Sequence, residues 1–106
     1  MAGTTVTVLV VYRAHAGKAA DGLSALTCLV ATVVAEERDC LGIRVCRSLD
    51  DPDRILLLEE WTSRDAYLGP HFQTPHLKEF IAGAPALFAG PPEISFWGPA
   101  APEGRR

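Results

Sequence analysis

Four short segments of this chain are dense in β-branched and apolar residues, and two stretches with helical spacing separate them. The four segments are Val6 to Arg13, Leu41 to Leu49, Arg54 to Trp61 and Glu93 to Trp97. Because β-branched and aromatic side chains fit a pleated surface, each segment is predicted to be a strand. The resulting order is β-α-β-β-α-β, which restricts the chain to two helices packed against one antiparallel sheet.

The first helix is predicted to run from about Lys18 to Glu37, after Gly17 ends the first strand. Its core stripe has helical spacing and consists of Leu23, Leu26, Val30, Val33 and Val34. The opposite face is apolar for a surface in water, with Ala25, Cys28, Leu29 and Ala31. A further protein contact is therefore expected on that face.

Turn and capping residues set the remaining boundaries. The sequence Asp50-Asp51-Pro52-Asp53 is a strong turn signal, so the second and third strands are predicted to form a hairpin. Thr62 or Ser63 is expected to cap a short helix that ends near Leu68, with Asp65 completing a capping box with Thr62. Thr74 and Pro75 have the residue types of an N-cap and a first helical position, so they start another helix.

The predicted fold class is α+β, the ferredoxin-like arrangement with one antiparallel sheet. Both helices on one sheet face leave the other face open, yet the third strand is apolar on both faces. Ile55 and Leu57 point one way, and Leu56 and Leu58 point the other way. We therefore expect both that two sheets pack face to face in a homodimer and that the open face closes over a pocket.

Length and composition place limits on function. The 106 residues predict one domain over 1–98 and a flexible tail over 99–106. The net charge of −3 and the scattered basic residues argue against binding to nucleic acid. The N-terminal apolar run lacks a basic leader, and the apolar stretch from Leu23 to Val34 is too short to span a bilayer. A cytoplasmic protein without a membrane anchor is expected.

The three cysteines, Cys28, Cys40 and Cys46, are odd in number and form no C-x-x-C pair. Free thiols in a reducing compartment are the expected state, with one disulfide as the alternative. A zinc site is not expected from this spacing.

The richest chemistry lies between Glu59 and Phe80, where a tryptophan, carboxylates and two histidines crowd together. The segment reads Glu-x-Trp at 59–61, Thr-Ser-x-x-Ala-Tyr at 62–67 and His-x-x-Thr-Pro-His at 71–76, and Pro-Pro-Glu-Ile-x-x-Trp follows at 91–97. With these motifs, the chain resembles the antibiotic biosynthesis monooxygenase family over residues 5 to 98.

The resemblance implies a dimeric α+β barrel and an oxygenase that needs no cofactor. It would oxidise a small hydroxylated aromatic, quinol or polyketide-like substrate with dioxygen, as a homodimer or a higher oligomer. The haem-degrading branch of the family uses an asparagine on the first strand, and this chain contains no asparagine. Haem degradation is therefore disfavoured, and no cofactor is expected.

Candidate catalytic residues are His71 and His76, because an imidazole is a base near neutral pH. Candidate substrate contacts share one face of the first and third strands, and they are Val10, Tyr12, Leu57, Glu59 and Trp61. These side chains would point into the barrel if their face is the one away from the helices. No metal is expected, because the two histidines have no evident third ligand. The remaining histidine, His15, is remote in the sequence.

Structural interpretations stay open for each of these residues. His76 could simply bond at its helix start, Trp61 and Trp97 could belong to the core, and Glu59 could pair with an arginine across a dimer. Two other functions also stay open. One is an isomerase that moves protons on a small metabolite without oxygen, and the other is a dimeric ligand-binding domain without catalysis.

Overall fold

The structure is a computed structural model that describes residues 5–101. The strands are β1 (Val6–Arg13), β2 (Cys40–Arg47), β3 (Arg54–Trp61) and β4 (Glu93–Trp97). The helices are α1 (Ala19–Glu36), α2 (Arg64–Leu68) and α3 (Pro75–Gly83), with short 3-10 turns at Pro70–Gln73 and Ala84–Ala86. The β-α-β-β-α-β order is as predicted, and α2 is the short helix expected to end near Leu68.

The four strands form one antiparallel sheet in the order β2-β3-β1-β4. β1 is central and pairs Val8 with Glu59 on one side and with Phe96 on the other. β2 and β3 are the predicted hairpin, and Asp51 closes its turn by accepting hydrogen bonds from Asp53 N and from Arg13. The α+β ferredoxin-like prediction is confirmed.

The helices cover the sheet face that carries Val8, Val10, Ile55 and Trp61, all of which are buried. Side chains that pair directly across antiparallel strands share a face, so Glu59 lies on this covered face beside Val8. The condition under which Glu59 and its neighbours would point into a barrel, a sheet face turned away from the helices, is therefore not met. The cavity they could line is enclosed by the helices of the same chain.

α1 packs on the sheet through Leu26 and Val33, which are buried in the core. The predicted stripe is displaced at one position, because Val34 is 47% exposed while Leu29 packs against the core. Leu29 is three residues beyond Leu26, so it occupies the same helix face. Cys28 and Ala31 are exposed, as expected for the opposite face.

With 18 residues, α1 is long and apolar enough to cross a membrane by length and composition alone. A core helix of a soluble protein and a signal sequence pass the same test. In this fold α1 has a defined place, because Leu26 and Val33 belong to the hydrophobic core that the sheet forms.

The caps differ in detail from the sequence predictions. Ser63 is the N-cap of α2 and accepts a hydrogen bond from Ala66 N at 3.0 Å. The expected box between Thr62 and Asp65 does not form, since the Thr62 hydroxyl donates to Asp39 instead. Thr74 caps α3 as predicted and accepts from Leu77 N.

All three cysteines are free; Cys40 is buried, Cys46 is half-buried and Cys28 is exposed. Residues 98–101, at the start of the predicted tail, have no regular secondary structure. The rest of that predicted tail, residues 102–106, lies outside the described residues.

Close approach of α1 to the Ala84–Gly90 segment depends on Gly22. A β-carbon at this position would lie 2.9 Å from the Phe88 ring, which is itself buried. We expect Gly22→Ala to destabilise the fold by about 1–3 kcal/mol, because a packed core resists an added methyl group. Urea unfolding measures the change.

The matched control is Gly83→Ala at the end of α3, where a β-carbon would meet nothing within 4 Å. Its free energy of unfolding should stay equal or rise by up to about 1 kcal/mol, since alanine favours helix over glycine. Equal effects of the two substitutions would contradict the packing argument.

Candidate functional site

A cavity of about 500 Å³ lies between the covered face of the sheet and the helices. Its walls are mostly aliphatic and aromatic, with Leu29 and Val33 from α1 and Phe80 from α3 facing Val10 and Leu57 of the sheet. Apolar cavities of roughly 300–1,000 Å³ with a few polar groups are the usual form of a small-molecule site. The polar groups of this cavity are Tyr12, Glu59, Tyr67 and His71.

Glu37, just beyond the end of α1, joins the two histidines. His71 Nδ1 lies 2.9 and 3.0 Å from the two oxygens of the Glu37 carboxylate, and His76 Nε2 lies 2.6 Å from Glu37 Oε2. All three side chains are largely buried. The sequence separation between Glu37 and His71 is 34 residues, so only the packing of α1 beside the 3-10 turn brings them together.

The local backbone holds His71 in this orientation. His71 lies in the Pro70–Gln73 turn, and its carbonyl oxygen accepts a hydrogen bond from the Thr74 hydroxyl at 2.8 Å. The same hydroxyl caps α3, so the histidine turn and the start of α3 form one hydrogen-bonded unit. Thr74 and Pro75 thus position His71 as well as begin a helix.

The arrangement fixes the tautomer of His71. A carboxylate can only accept, so Nδ1 of His71 donates to Glu37 and Nε2 carries the lone pair. Nε2 has no hydrogen bond to any of residues 5–101, and His71 lines the cavity. The free nitrogen is therefore an acceptor for a ligand proton.

Burial keeps this imidazole neutral near neutral pH. His71 is 5% exposed and lies against two aromatic rings, Trp61 at 4.7 Å and Tyr67 at 5.0 Å between centroids. Desolvation lowers the pKa of His71 below its ordinary value of 6.5, and the hydrogen bond to Glu37 opposes that shift only in part. A neutral imidazole is the form that can act as a base.

Glu59 is a second ionisable group in the cavity, and it is 4% exposed. Trp61 Nε1 donates to Glu59 Oε1 at 2.8 Å. Burial raises the pKa of Glu59 to about 7, with a smaller contribution from the charge of Glu37, although the bond from Trp61 opposes the rise. Near neutral pH the carboxyl group is present both as the acid and as the anion.

Two phenol groups complete the polar lining. Burial raises the pKa of Tyr12 and of Tyr67 above their ordinary value, so both hydroxyls keep their protons. Neither hydroxyl has a hydrogen-bond partner within residues 5–101. Neither oxygen atom is fully buried, so a ligand can reach both. Both can donate a hydrogen bond to a ligand.

The structure brings most of the predicted site residues together. Val10, Tyr12, Leu57, Glu59 and His71 all line the cavity. Trp61 lies behind this lining, packed on His71 and bonded to Glu59, so it supports the site instead of forming its wall.

His76, the second candidate base, is not part of the lining. Its Nε2 bonds to Glu37, so it contacts the carboxylate that holds His71. Sequence reasoning missed Glu37 and Tyr67. Tyr67 lies within the crowded segment from Glu59 to Phe80, and its spacing from the cap residue Ser63 could have identified it. Nothing in the local sequence distinguishes Glu37 from the other acidic residues near the end of α1.

Among residues 5–101, no group of three or more His, Cys, Asp or Glu side chains is arranged to hold a metal ion. Glu37, His71 and His76 are instead joined directly by hydrogen bonds.

A four-stranded antiparallel sheet with helices on one face defines a ferredoxin-like domain, and here an apolar cavity and a buried histidine lie between the sheet and the helices. Residues 5–83 match the sequence pattern of one such family, described as antibiotic biosynthesis monooxygenase. The match covers more than half of the chain, and the chain belongs to that family.

Solved structures of similar fold come from several bacteria. The chain is similar to PA3566 from Pseudomonas aeruginosa, with 27% identity and a TM-score of 0.84 over 95% of this chain and 99% of the other. A Bordetella bronchiseptica protein, named provisionally as an antibiotic biosynthesis monooxygenase, has 19% identity and a TM-score of 0.83 over 93% and 100% of the two chains. A Nitrosomonas europaea protein with the same provisional name has 20% identity and a TM-score of 0.83 over 98% of each chain.

Among curated proteins, the chain is 34% identical over 61 residues to the uncharacterized protein sll1783 of Synechocystis. The aligned part is 58% of this chain and 41% of that protein, so the chain spans less than half of its relative.

Proposed function

We propose that this protein is a cofactor-independent monooxygenase for a small hydroxylated aromatic, quinol or polyketide-like substrate. The observation that carries the proposal is that His71 lines an apolar cavity, bonds to Glu37 through Nδ1, and has no hydrogen-bond partner for Nε2 among residues 5–101. Family membership supports the reaction class.

The first step is removal of a proton from the substrate. A phenol that enters the cavity gives its proton to Nε2 of His71, and Glu37 stabilises the imidazolium that results. His76 donates to the same carboxylate and keeps Glu37 oriented. Such positioned bases typically contribute about 10²–10⁴-fold to a rate.

The second step uses the electrons of the substrate itself. The phenolate passes one electron to dioxygen, the resulting radicals combine into a carbon–oxygen bond, and the peroxide loses water. A phenol with a free para carbon thereby gives a para-quinone, with one oxygen atom in the new carbonyl and the other in water. The substrate supplies all four electrons, so no external reductant or protein cofactor is required.

The cavity supplies the environment for this chemistry. Its apolar walls exclude water, which strengthens the electrostatic contacts of His71 and protects reactive intermediates. Tyr12 and Tyr67 are placed to donate to substrate oxygens.

The test is oxygen uptake by purified, metal-free protein with a panel of quinols, naphthols and anthrone-type phenols. We expect uptake with at least one of them and one mole of oxygen consumed per mole of substrate. Absence of uptake with every phenol would contradict the proposal. A product that forms equally well without oxygen would also contradict it.

An isomerase is the second candidate, and one observation favours it. His71 can remove a proton while Glu59 in its acid form can donate one, and both line the same cavity. Turnover of a hydroxyketone under nitrogen would assign this activity. A non-catalytic ligand-binding domain is the outcome if ligands bind and neither reaction occurs.

We also propose that the protein works in the cytoplasm as a homodimer or higher oligomer, without nucleic acid or membrane partners. The open sheet face supports the dimer, because Leu9, Val11, Leu56 and Leu58 are only half-buried in a single chain. The net charge of −3 gives no support for a polyanionic partner.

We expect the protein to sediment as a dimer and Leu58→Arg to sediment as a monomer. Leu58 pairs with Leu9 at the centre of the open face, where an unpaired buried charge would cost several kcal/mol. Leu49→Arg is the control, since Leu49 is fully exposed and lies beyond the end of β2. A monomeric wild-type chain, or a dimer that tolerates Leu58→Arg, would rule out this interface.

A further inference from the structure

We propose that Glu59, in its carboxylic acid form, is the hydrogen-bond donor that selects uncharged ligands carrying a carbonyl oxygen, such as aromatic ketones and quinones. The inference deepens the proposed function, because it assigns the ligand class of the same cavity. Its test is a binding measurement and does not depend on oxygen uptake.

The first support is the geometry of the carboxyl group. Glu59 Oε1 is already occupied by the hydrogen bond from Trp61 Nε1. Oε2 makes no hydrogen bond to any of residues 5–101. This oxygen atom is not fully buried, so it remains accessible. Since Glu59 lines the cavity, its unused oxygen is the atom that a ligand meets.

The second support is the lack of a compensating cation. Within residues 5–101, the salt bridges are Arg13–Asp51 and those of Glu37 with the two histidines, and none involves Glu59. Buried carboxylates normally require a positive partner or several hydrogen bonds. Glu59 has one hydrogen bond, so the cavity favours the neutral acid.

The ionisable groups around Glu59 come from five other elements. They are Tyr12 on β1, Glu37 after α1, Cys40 on β2, Tyr67 on α2 and His71 in the 3-10 turn. Burial raises the pKa of Cys40 to about 11 and raises the pKa of both tyrosines, so these three groups stay neutral below pH 9. Burial lowers the pKa of His71, so the imidazole is neutral above its ordinary pKa.

Glu59 therefore changes charge at this cavity between pH 6 and pH 8, since burial raises its pKa to about 7. A ligand that fills the cavity displaces water and raises the cost of the carboxylate further. The ligand-bound state thus holds the acid, whose proton points to an acceptor. A carbonyl oxygen matches that donor, whereas an anionic ligand oxygen would bring a charge into an apolar space.

The selection also has a role in the proposed reaction. A substrate with a carbonyl and a phenol on one ring system can place the carbonyl at Glu59 while its phenol reaches His71. Glu59 would then orient the substrate for the base, and it would also stabilise negative charge that moves from the phenolate onto the carbonyl oxygen.

The probe is 2,3-dimethyl-1,4-naphthoquinone, which is uncharged and has no titratable group in this range. Equilibrium dialysis with the full chain measures its dissociation constant at pH 6 and at pH 8. If only the acid form binds, the constant rises about tenfold over this interval, because a site with a pKa near 7 loses its proton there. The hydrocarbon 2,3-dimethylnaphthalene should bind with no such change.

Glu59→Gln keeps an N–H donor at every pH, so it should bind the quinone equally well at pH 6 and pH 8. Glu59→Leu should lose preference for the quinone over the hydrocarbon. Glu60→Gln is the matched control on the opposite sheet face, where Glu60 accepts from Thr7, and it should keep the wild-type pH dependence.

Three results would overturn the assignment: quinone affinity that is independent of pH, affinity that rises with pH, or no binding of the quinone at either pH. Each of these leaves oxygen uptake with phenols as a separate question. Conversely, pH-dependent quinone binding without oxygen uptake would keep the ligand class and remove the oxygenase.

Discussion

His71→Ala should lower oxygen uptake about 10²–10⁴-fold at saturating substrate, which is the usual contribution of a positioned general base. The substitution removes the imidazole that lines the cavity, and it leaves the bond from His76 to Glu37 in place. Rates are measured with an oxygen electrode. Dissociation constants for the same substrate are measured without oxygen, so that loss of the base is separated from loss of binding.

The control for His71→Ala is His15→Ala, because His15 is exposed and its imidazole bonds to the Pro85 carbonyl oxygen. Its oxygen uptake should equal that of the wild type. Undiminished uptake by His71→Ala would remove the histidine from the mechanism and move the base to another group.

The dependence of the rate on pH tests the role of Glu37. Since the base must be neutral, activity falls as pH drops through the pKa of His71, which burial has lowered below 6.5. Glu37→Gln removes the charge that favours the imidazolium, so the fall in activity should move to still lower pH while the maximal rate declines. A purely structural role for Glu37 would change the rate without moving the acid limb.

Trp61→Ala should have the largest effect on stability, with a loss of about 3–5 kcal/mol in the free energy of unfolding. The indole is 1% exposed and packs against Tyr67 and His71. Its removal leaves a void and also takes away the hydrogen bond donor of Glu59. Urea unfolding followed by far-UV circular dichroism measures the loss.

Trp61→Phe separates these two contributions. Phenylalanine keeps most of the packing and lacks the N–H group, so its cost should approach that of one buried hydrogen bond, about 1–3 kcal/mol. Leu49→Ala, at a fully exposed residue, should change stability by less than about 0.5 kcal/mol. Equal losses for Trp61→Ala and Leu49→Ala would show that the indole does not belong to the core.

The order of elements could be predicted because each strand carries its own local signal. Val6 to Arg13 is rich in β-branched residues, and Thr74-Pro75 begins α3 through its own hydrogen bonds. Such signals are encoded within a few residues. Strand pairing then followed from the hairpin between β2 and β3.

The orientation of the sheet could not be predicted in the same way. β3 is apolar on both faces, so alternation groups Ile55 with Glu59 but does not say which group the helices cover. The sequence therefore left open which sheet face Glu59 occupies. That choice depends on long-range packing of α1, which no local pattern records.

Glu37 illustrates the other limit of the sequence. The histidines were identified from their residue type, but their partner comes from the far end of another helix. His76 and His71 looked equivalent as bases, and both bond to the Glu37 carboxylate. The structure distinguishes them because His71 lines the cavity and His76 does not.

The two sheet faces carry different side chains for different tasks. The strand residues that line the cavity all lie on the covered face, and the leucines of β1 and β3 that could meet a second copy lie on the other. Substitutions on the outer face can therefore alter self-association without altering a wall of the pocket. In the proposed dimer, the contact between copies and the shape of the pocket are thus open to separate mutational change.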